Sequence, residues 1–138
     1  MSFLTWDESL SVGVAEIDEQ HKRLFELGNA VADTVGSGFD QEAVEAELRA
    51  LCDYAVEHFS TEEGFMDMDA YPEYDQHLSE HMHCTTRALD FLEAFSEGRE
   101  VDMGEFLRFV DTWIREHTMR MDMTLASFLR LQRLRQGK

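Results

Sequence analysis

Apolar residues recur every three or four positions through four stretches of the chain, a spacing that places them on one face of an α-helix. Glycines at 36 and 38, Pro72 and Gly98 separate these stretches. The pattern predicts helices over about 18–36, 40–67, 73–96 and 102–132, after an irregular arm over residues 1–17. Because the connections are short, neighbouring helices are expected to be antiparallel, which predicts an all-α, up-down four-helix bundle.

Length and charge narrow the class of protein. The 138 residues suit one domain with a sizeable core, and the sequence shows no long linker or internal repeat. With 29 acidic and 12 basic residues the formal charge is −17, so neither nucleic acid nor a membrane is expected as a partner. The sequence shows no export signal or membrane span, so a cytoplasmic location is expected. Cys52 and Cys84 are expected to be reduced core residues, with a bridge between them left open.

The inner faces of the second and third helices carry polar side chains where apolar ones are expected. His58 and Glu62 are four residues apart, as are His77 and His81, so each pair lies on one helical face. The apolar period of the second helix continues directly onto His58 and Glu62. A buried carboxylate without a positive partner is costly, which predicts a bound metal ion.

Helix lengths place the inward-facing histidines at one end of the bundle. Each helix runs roughly 22–27 Å between its histidine and the turn at the far end. The first and fourth helices contribute His21 and His117. Asp122 follows His117 by five residues, so its inclusion requires a local wide turn or a lateral reach. The candidate metal ligands are His21, His58, Glu62, His77, His81, His117 and Asp122.

Five histidines and two carboxylates are more than a single zinc site uses. They suit two octahedral ions bridged by the carboxylates and a solvent-derived oxygen, with one position open to a small ligand. Imidazole with carboxylate favours iron, although cobalt, manganese or zinc also fit such ligands. A single inward histidine is more often a hydrogen-bonded core residue, and the joint placement is what favours metal. Glu63 and His83 are expected to be solvated.

These residues belong to a pattern that extends over nearly the whole chain. It comprises Trp6 through Gly13-Val14, Ile17-Asp18-Glu19-Gln20-His21, His58-x-x-x-Glu62 with Met66 and Tyr71-Pro72, His77-x-x-x-His81, and Trp113-Ile114-x-x-His117-x-x-x-x-Asp122. The pattern resembles the hemerythrin family in its bacterial single-domain form. Its intervals are highly specific.

The resemblance implies a non-haem di-iron centre that binds O2 reversibly for oxygen storage or delivery. It implies one iron on His77, His81 and His117, another on His21 and His58, and bridges from Glu62, Asp122 and an oxo or hydroxo oxygen. The five-residue spacing to Asp122 is the family's own. An unidentified O2-using enzyme or reductant is the expected partner.

The expected walls of the oxygen pocket are Phe59, Trp113, Ile114 and Thr118. The chain departs from the family pattern at Thr118, where isoleucine is usual, and at Cys84, where an aromatic is common. Both side chains are smaller, so the pocket is expected to be wider and oxidation of the site faster.

Other function classes stay open. The same site could sense oxygen or redox state, although such proteins usually carry a signalling module and this chain shows none. A di-iron enzyme with peroxidase-like or nitric-oxide-handling activity is the other alternative. Bundle oxygenases use two Glu-x-x-His pairs, whereas here only Glu80 and His83 have that spacing, on the wrong face. Enzymatic activity beyond a weak side reaction is therefore not expected.

Overall fold

A computed structural model of the chain describes residues 3–38, 40–69 and 71–135, and the side chains of 67–69 and 116–119 lie outside that description. The helices are α1 (Ala15–Gly36), α2 (Gln41–Asp69), α3 (Tyr74–Ser96), α4 (Met103–Asp111) and α5 (Met119–Arg135), with a 3₁₀ turn at Glu8–Leu10. A π-helical segment, Thr112–Thr118, joins α4 to α5, and these three elements form a fourth rod. The predicted four-helix bundle is confirmed. The assignment of the whole chain to one domain stays a prediction.

Two apolar clusters fill the bundle and leave a polar layer between them. The larger, here called the large cluster, includes Leu24, Leu48, Phe59, Cys84, Phe95, Phe106, Trp113 and Ile114. The small cluster comprises Val12, Val14, Ile17, Met66, Tyr71, Leu125, Ala126 and Leu129. Along α1, Ile17 belongs to the small cluster and Leu24 to the large one, with His21 between them. The other rods show the same alternation, so the polar layer crosses the whole bundle.

The N-terminal arm lies over the helices. The Leu4 backbone N–H donates to Asn29 Oδ1 at 2.6 Å, and Asn29 Nδ2 donates to the Leu4 carbonyl at 2.8 Å. The Trp6 ring packs edge-on against Phe25, with 5.6 Å between ring centroids. These contacts fasten the arm to α1.

The start of α1 differs from the prediction. The helix begins at Ala15, three residues before the predicted start near residue 18. The Asp18 carboxylate accepts hydrogen bonds from Ser11 Oγ at 2.6 Å and from the Val12 backbone N–H at 2.8 Å. Asp18 therefore fixes the chain that approaches the helix. It lies in the first turn of α1 and not at the start of the helix.

The fourth rod changes phase at the π-helical segment. If the apolar period of Phe106 and Val110 continued regularly, Met121 and Phe128 would face inward. Both are only half-buried, whereas Asp122 and Leu129 are buried. A π turn bonds residue i to i+5 and so contains one more residue than an α turn. The buried face consequently shifts by one position. This wide turn brings Asp122 into the core.

Both cysteines are free, so the bridge that the sequence left open is not formed. Burial raises the pKa of Cys52 to about 11 and that of Cys84 to about 12, which keeps both thiols protonated. Among the described residues, no helix carries an apolar stretch that could cross a bilayer.

Candidate metal centre

Buried polar side chains from all four rods meet in the polar layer between the two apolar clusters, here called the ligand layer. Those described are His21 from α1, His58 and Glu62 from α2, His77 and His81 from α3, and Asp122 from α5, and none is more than 3% exposed. The backbone of the remaining candidate, His117, belongs to the π-helical segment, but its side chain lies outside the described residues. The structure therefore brings together six of the seven candidate ligands predicted from the sequence.

Asp122 faces histidines on both sides of the layer. Its Oδ2 lies 2.7 Å from His21 Nε2 and 3.0 Å from His58 Nε2. Its Oδ1 lies 3.2 Å from His77 Nε2. The two oxygens of one carboxylate thus point toward different histidine pairs.

Glu62 has the same arrangement on the opposite side. Its Oε1 lies 3.0 Å from His81 Nε2 and 3.3 Å from His77 Nε2. Its Oε2 lies 3.4 Å from His58 Nε2. Both carboxylates are therefore placed as bridges between the two halves of the layer.

The ligand atoms form two overlapping groups, each with all atoms within 4.8 Å of one another. One group is His21, His58, Glu62 and Asp122, and the other is Glu62, His77, His81 and Asp122. Because both groups contain both carboxylates, two cations held here would share them. The ligand role of each residue stays a prediction.

Two atoms of the layer indicate that a cation fits between these side chains. Glu62 Oε2 and His77 Nε2 are buried and make no hydrogen bond to any described residue. His77 Nε2 is close to both carboxylates yet aligned for a hydrogen bond with neither. Buried polar atoms are normally satisfied because leaving them unpaired is costly. Imidazole nitrogens and carboxylate oxygens suit iron, so the residues present fit the predicted metal.

Burial sets the charges of the layer in the metal-free protein. It raises the pKa of Glu62 well above the ordinary value, and the nearby Asp122 charge adds to the effect. Burial also acts to raise the pKa of Asp122, but the close contacts of its carboxylate with Glu62 and the neighbouring histidines outweigh burial and hold that pKa well below the usual range. The pKa of His58 is lowered because its ring is buried. In the metal-free layer Glu62 therefore holds a proton more readily than Asp122, and His58 does so less readily than an exposed histidine.

The outer nitrogens of two histidines contact side chains for which the sequence predicted no role at the site. His58 Nδ1 lies 2.7 Å from Gln20 Oε1, and His81 Nδ1 lies 3.3 Å from Glu63 Oε2. The Glu63 side chain is 31% exposed, so it is half-buried and less solvated than expected. Each is adjacent in sequence to a candidate ligand, Gln20 to His21 and Glu63 to Glu62, but adjacency does not indicate which histidine it contacts.

Three of the four predicted pocket residues, Phe59, Trp113 and Ile114, belong to the large cluster. The Phe59 ring stacks on His81, with centroids 3.8 Å apart and planes at 12°. Trp113 and Ile114 are buried in the large cluster with Phe59. The side chain of Thr118 lies outside the described residues. A groove of about 310 Å³ between α2 and α3 reaches Phe59 and His81 from the surface.

The fold and the buried histidine and carboxylate layer define a helical bundle protein with a site able to hold metal. Residues 12–129 match the family model described as hemerythrin HHE cation binding domain. The chain therefore belongs to the hemerythrin family, and the resemblance seen in the sequence is confirmed.

Known proteins of this family are similar over most of the chain. A bacteriohemerythrin of Methylococcus capsulatus is 30% identical over 123 residues, which cover 88% of this chain and 93% of that protein. A hemerythrin-like protein of Naegleria gruberi is 30% identical over 124 residues, with 90% and 92% covered. A crystal structure of wild-type hemerythrin matches with a TM-score of 0.83 at 29% identity, covering 91% of this chain and 97% of that one.

Proposed function

We propose that the chain binds O2 reversibly at a non-haem di-iron centre, for oxygen storage or delivery. The observation that supports this most directly is the pair of overlapping ligand groups that share Glu62 and Asp122. The proposed ligands are His77, His81 and His117 for one iron, His21 and His58 for the other, and Glu62, Asp122 and an oxo or hydroxo oxygen as bridges. When bound, the ferrous pair supplies the two electrons that O2 binding requires.

The surroundings of the site favour release of O2 unchanged. Phe59 stacks on His81, and Trp113 and Ile114 are buried in the same cluster. We assign these residues and Thr118 as the walls of the oxygen pocket. Apolar walls exclude water and proton donors, and protons would favour oxidation of the site over release of O2. Proteins of this family are generally oxygen-binding and not enzymatic.

The test is a visible absorption spectrum of anaerobically reduced, iron-loaded protein before and after O2 is added. We expect an absorption band that appears with O2, disappears on degassing and returns over repeated cycles. Iron analysis should give two ions per chain, in line with the two ligand groups. Failure to form a reversible band would reject the proposal, and rapid irreversible oxidation would favour the enzymatic alternative.

Two variants connect the spectrum to the site. His58→Ala should lose iron and the reversible band, because His58 is completely buried in the ligand layer. His83→Ala is the matched control, since His83 is an exposed histidine on α3 and belongs to neither ligand group. A partner reductant or O2-using enzyme and a cytoplasmic location stay predictions.

A further inference from the structure

We propose that Gln20 is a positioning residue that fixes the tautomer of His58, and that Thr61 fixes the orientation of the Gln20 amide. The inference rests on the proposed function only in that it takes His58 to bind a metal ion. Gln20 belongs to neither group of candidate ligands. It acts on the site through the outer nitrogen of His58.

The orientation of the amide follows from hydrogen bonding at Thr61. Thr61 Oγ1 lies 3.0 Å from the Glu57 carbonyl oxygen, which can only accept, so the hydroxyl hydrogen is used there. The hydroxyl oxygen remains as an acceptor, and Gln20 Nε2 donates to it at 3.1 Å. A flipped amide would place two acceptors against each other. The hydrogen-bond network therefore assigns the oxygen and nitrogen of the Gln20 side chain.

The tautomer of His58 follows in turn. Gln20 Oε1 lies 2.7 Å from His58 Nδ1, and because an amide oxygen only accepts, Nδ1 carries the hydrogen. In the neutral ring that metal binding requires, the lone pair is then on Nε2. Nε2 is the atom that faces Asp122 Oδ2 at 3.0 Å and Glu62 Oε2 at 3.4 Å. The network thus directs the lone pair of His58 into the candidate metal site.

The other histidines show that this support is selective. His81 Nδ1 has a carboxylate partner in Glu63, whereas the Nδ1 atoms of His21 and His77 make no hydrogen bond to any described residue. Each ligand group therefore contains one histidine with a supported outer nitrogen and one without. Outer partners of this kind commonly set the orientation and basicity of metal-binding histidines. Gln20 supplies that support in the group that contains His21.

Zinc is a suitable probe because it is diamagnetic and needs no oxygen chemistry. In zinc-loaded wild-type protein, NMR of the ¹⁵N-labelled histidine rings should show a slowly exchanging hydrogen on His58 Nδ1. In Gln20→Leu this hydrogen should exchange rapidly. Zinc titration should show one binding step weakened by about 10–100-fold and the other unchanged. Gln20→Glu retains an accepting oxygen, so it should recover most of the affinity.

Gln41→Leu is the matched control. Gln41 is a partly buried glutamine whose Nε2 donates to the Phe95 carbonyl at 2.7 Å, away from the ligand layer. It should leave both zinc steps and the His58 signal unchanged. If Gln20→Leu fails to fold, Thr61→Val tests the same network, and it should weaken the same zinc step while Thr61→Ser does not.

Two outcomes would overturn the inference. One is unchanged affinity of both zinc steps together with an unchanged His58 signal in the folded variant. The other is a wild-type protein that binds no zinc at this layer. Neither readout uses O2, so failure of the oxygen experiment with intact zinc results would reject only the carrier function. Reversible O2 binding with unaltered zinc binding by Gln20→Leu would reject only the role of Gln20.

Discussion

The large cluster and the ligand layer are built by the same helices but contribute to stability in opposite ways. In the large cluster, Phe106 packs against Phe91 and Phe95 with ring centroids 5.0 and 5.1 Å apart. Burial of such apolar surface is favourable by about 25 cal/mol per Å². The ligand layer instead buries Glu62 and Asp122 completely or almost so. Buried ionisable groups are costly unless they are paired, so this layer should favour folding only when cations are present.

The largest expected effect comes from the large cluster. Phe106 is completely buried, so Phe106→Ala should lower the free energy of unfolding of the metal-free protein by about 3–5 kcal/mol. Urea denaturation measures this change. Leu134→Ala is the control, since Leu134 is 71% exposed and should change stability by less than about 0.5 kcal/mol. A small change in the free energy of unfolding would contradict this prediction. If the Phe106→Ala variant bound fewer metal ions than wild type, the large cluster and the ligand layer would not be independent.

Bound metal ions should offset the unfavourable free energy of burying the polar side chains of the ligand layer. Zinc at about 100 times its dissociation constant should raise the free energy of unfolding by about 2.7 kcal/mol per site, and a chelator should remove the gain. Phe106→Ala should keep this increment and His58→Ala should lose much of it. The increment should decline as the pH falls, because protonated histidine does not bind metal. Thermal unfolding with and without zinc would refute the idea if the increments of wild type and His58→Ala were equal.

The metal-free ligand layer should show a pH dependence of defined sign. The pKa of folded Glu62 lies above its unfolded value of 4.5, so its contribution to stability is fully present below pH 4.5 and is lost as the pH rises through the folded pKa. Glutamine cannot ionise. Glu62→Gln should therefore gain stability over wild type as the pH rises, by an amount on the order of 1 kcal/mol.

Urea denaturation of metal-free protein across pH measures this difference. Glu57→Gln is the control, because Glu57 is exposed on the same helix and should show no such trend. A stability difference that stays flat or shrinks with rising pH would show that the carboxylate of Glu62 is not destabilising when ionised.

The smallest expected changes in stability concern two helical glycines. A Cβ on Gly64, beside the ligand layer, would meet nothing within 4 Å, so Gly64→Ala should stabilise the protein by about 0.5–1 kcal/mol. A Cβ on Gly28 would lie 2.8 Å from Cδ1 of both Ile114 and Leu4. These side chains must shift, so Gly28→Ala should be less favourable than Gly64→Ala by about 1 kcal/mol or more. Equal effects in thermal unfolding would indicate that the large cluster packs loosely at Gly28.

The sequence was sufficient for features that depend on periodicity within one helix. The spacing of His58 with Glu62 and of His77 with His81 predicted inward-facing pairs, and the helix lengths predicted their common level. The contact between Gln20 and His58 was not predictable, since it joins residues 38 apart and depends on the rotamers of two helices. The phase of α5 was also missed, because regular periodicity contains no signal for a π turn.

The π-helical segment has a consequence for comparisons with related sequences. Leu125 and Leu129 belong to the small cluster, whereas Phe106 and Val110 belong to the large one. A regular α-helix of the same length through Thr112–Thr118 would instead rotate the second half of the rod by about 100°. Asp122 would then leave the bundle interior without being substituted. A relative that is one residue shorter in this stretch would present the same aspartate from a regular α-helix, so the spacing and the helix type have to be compared together.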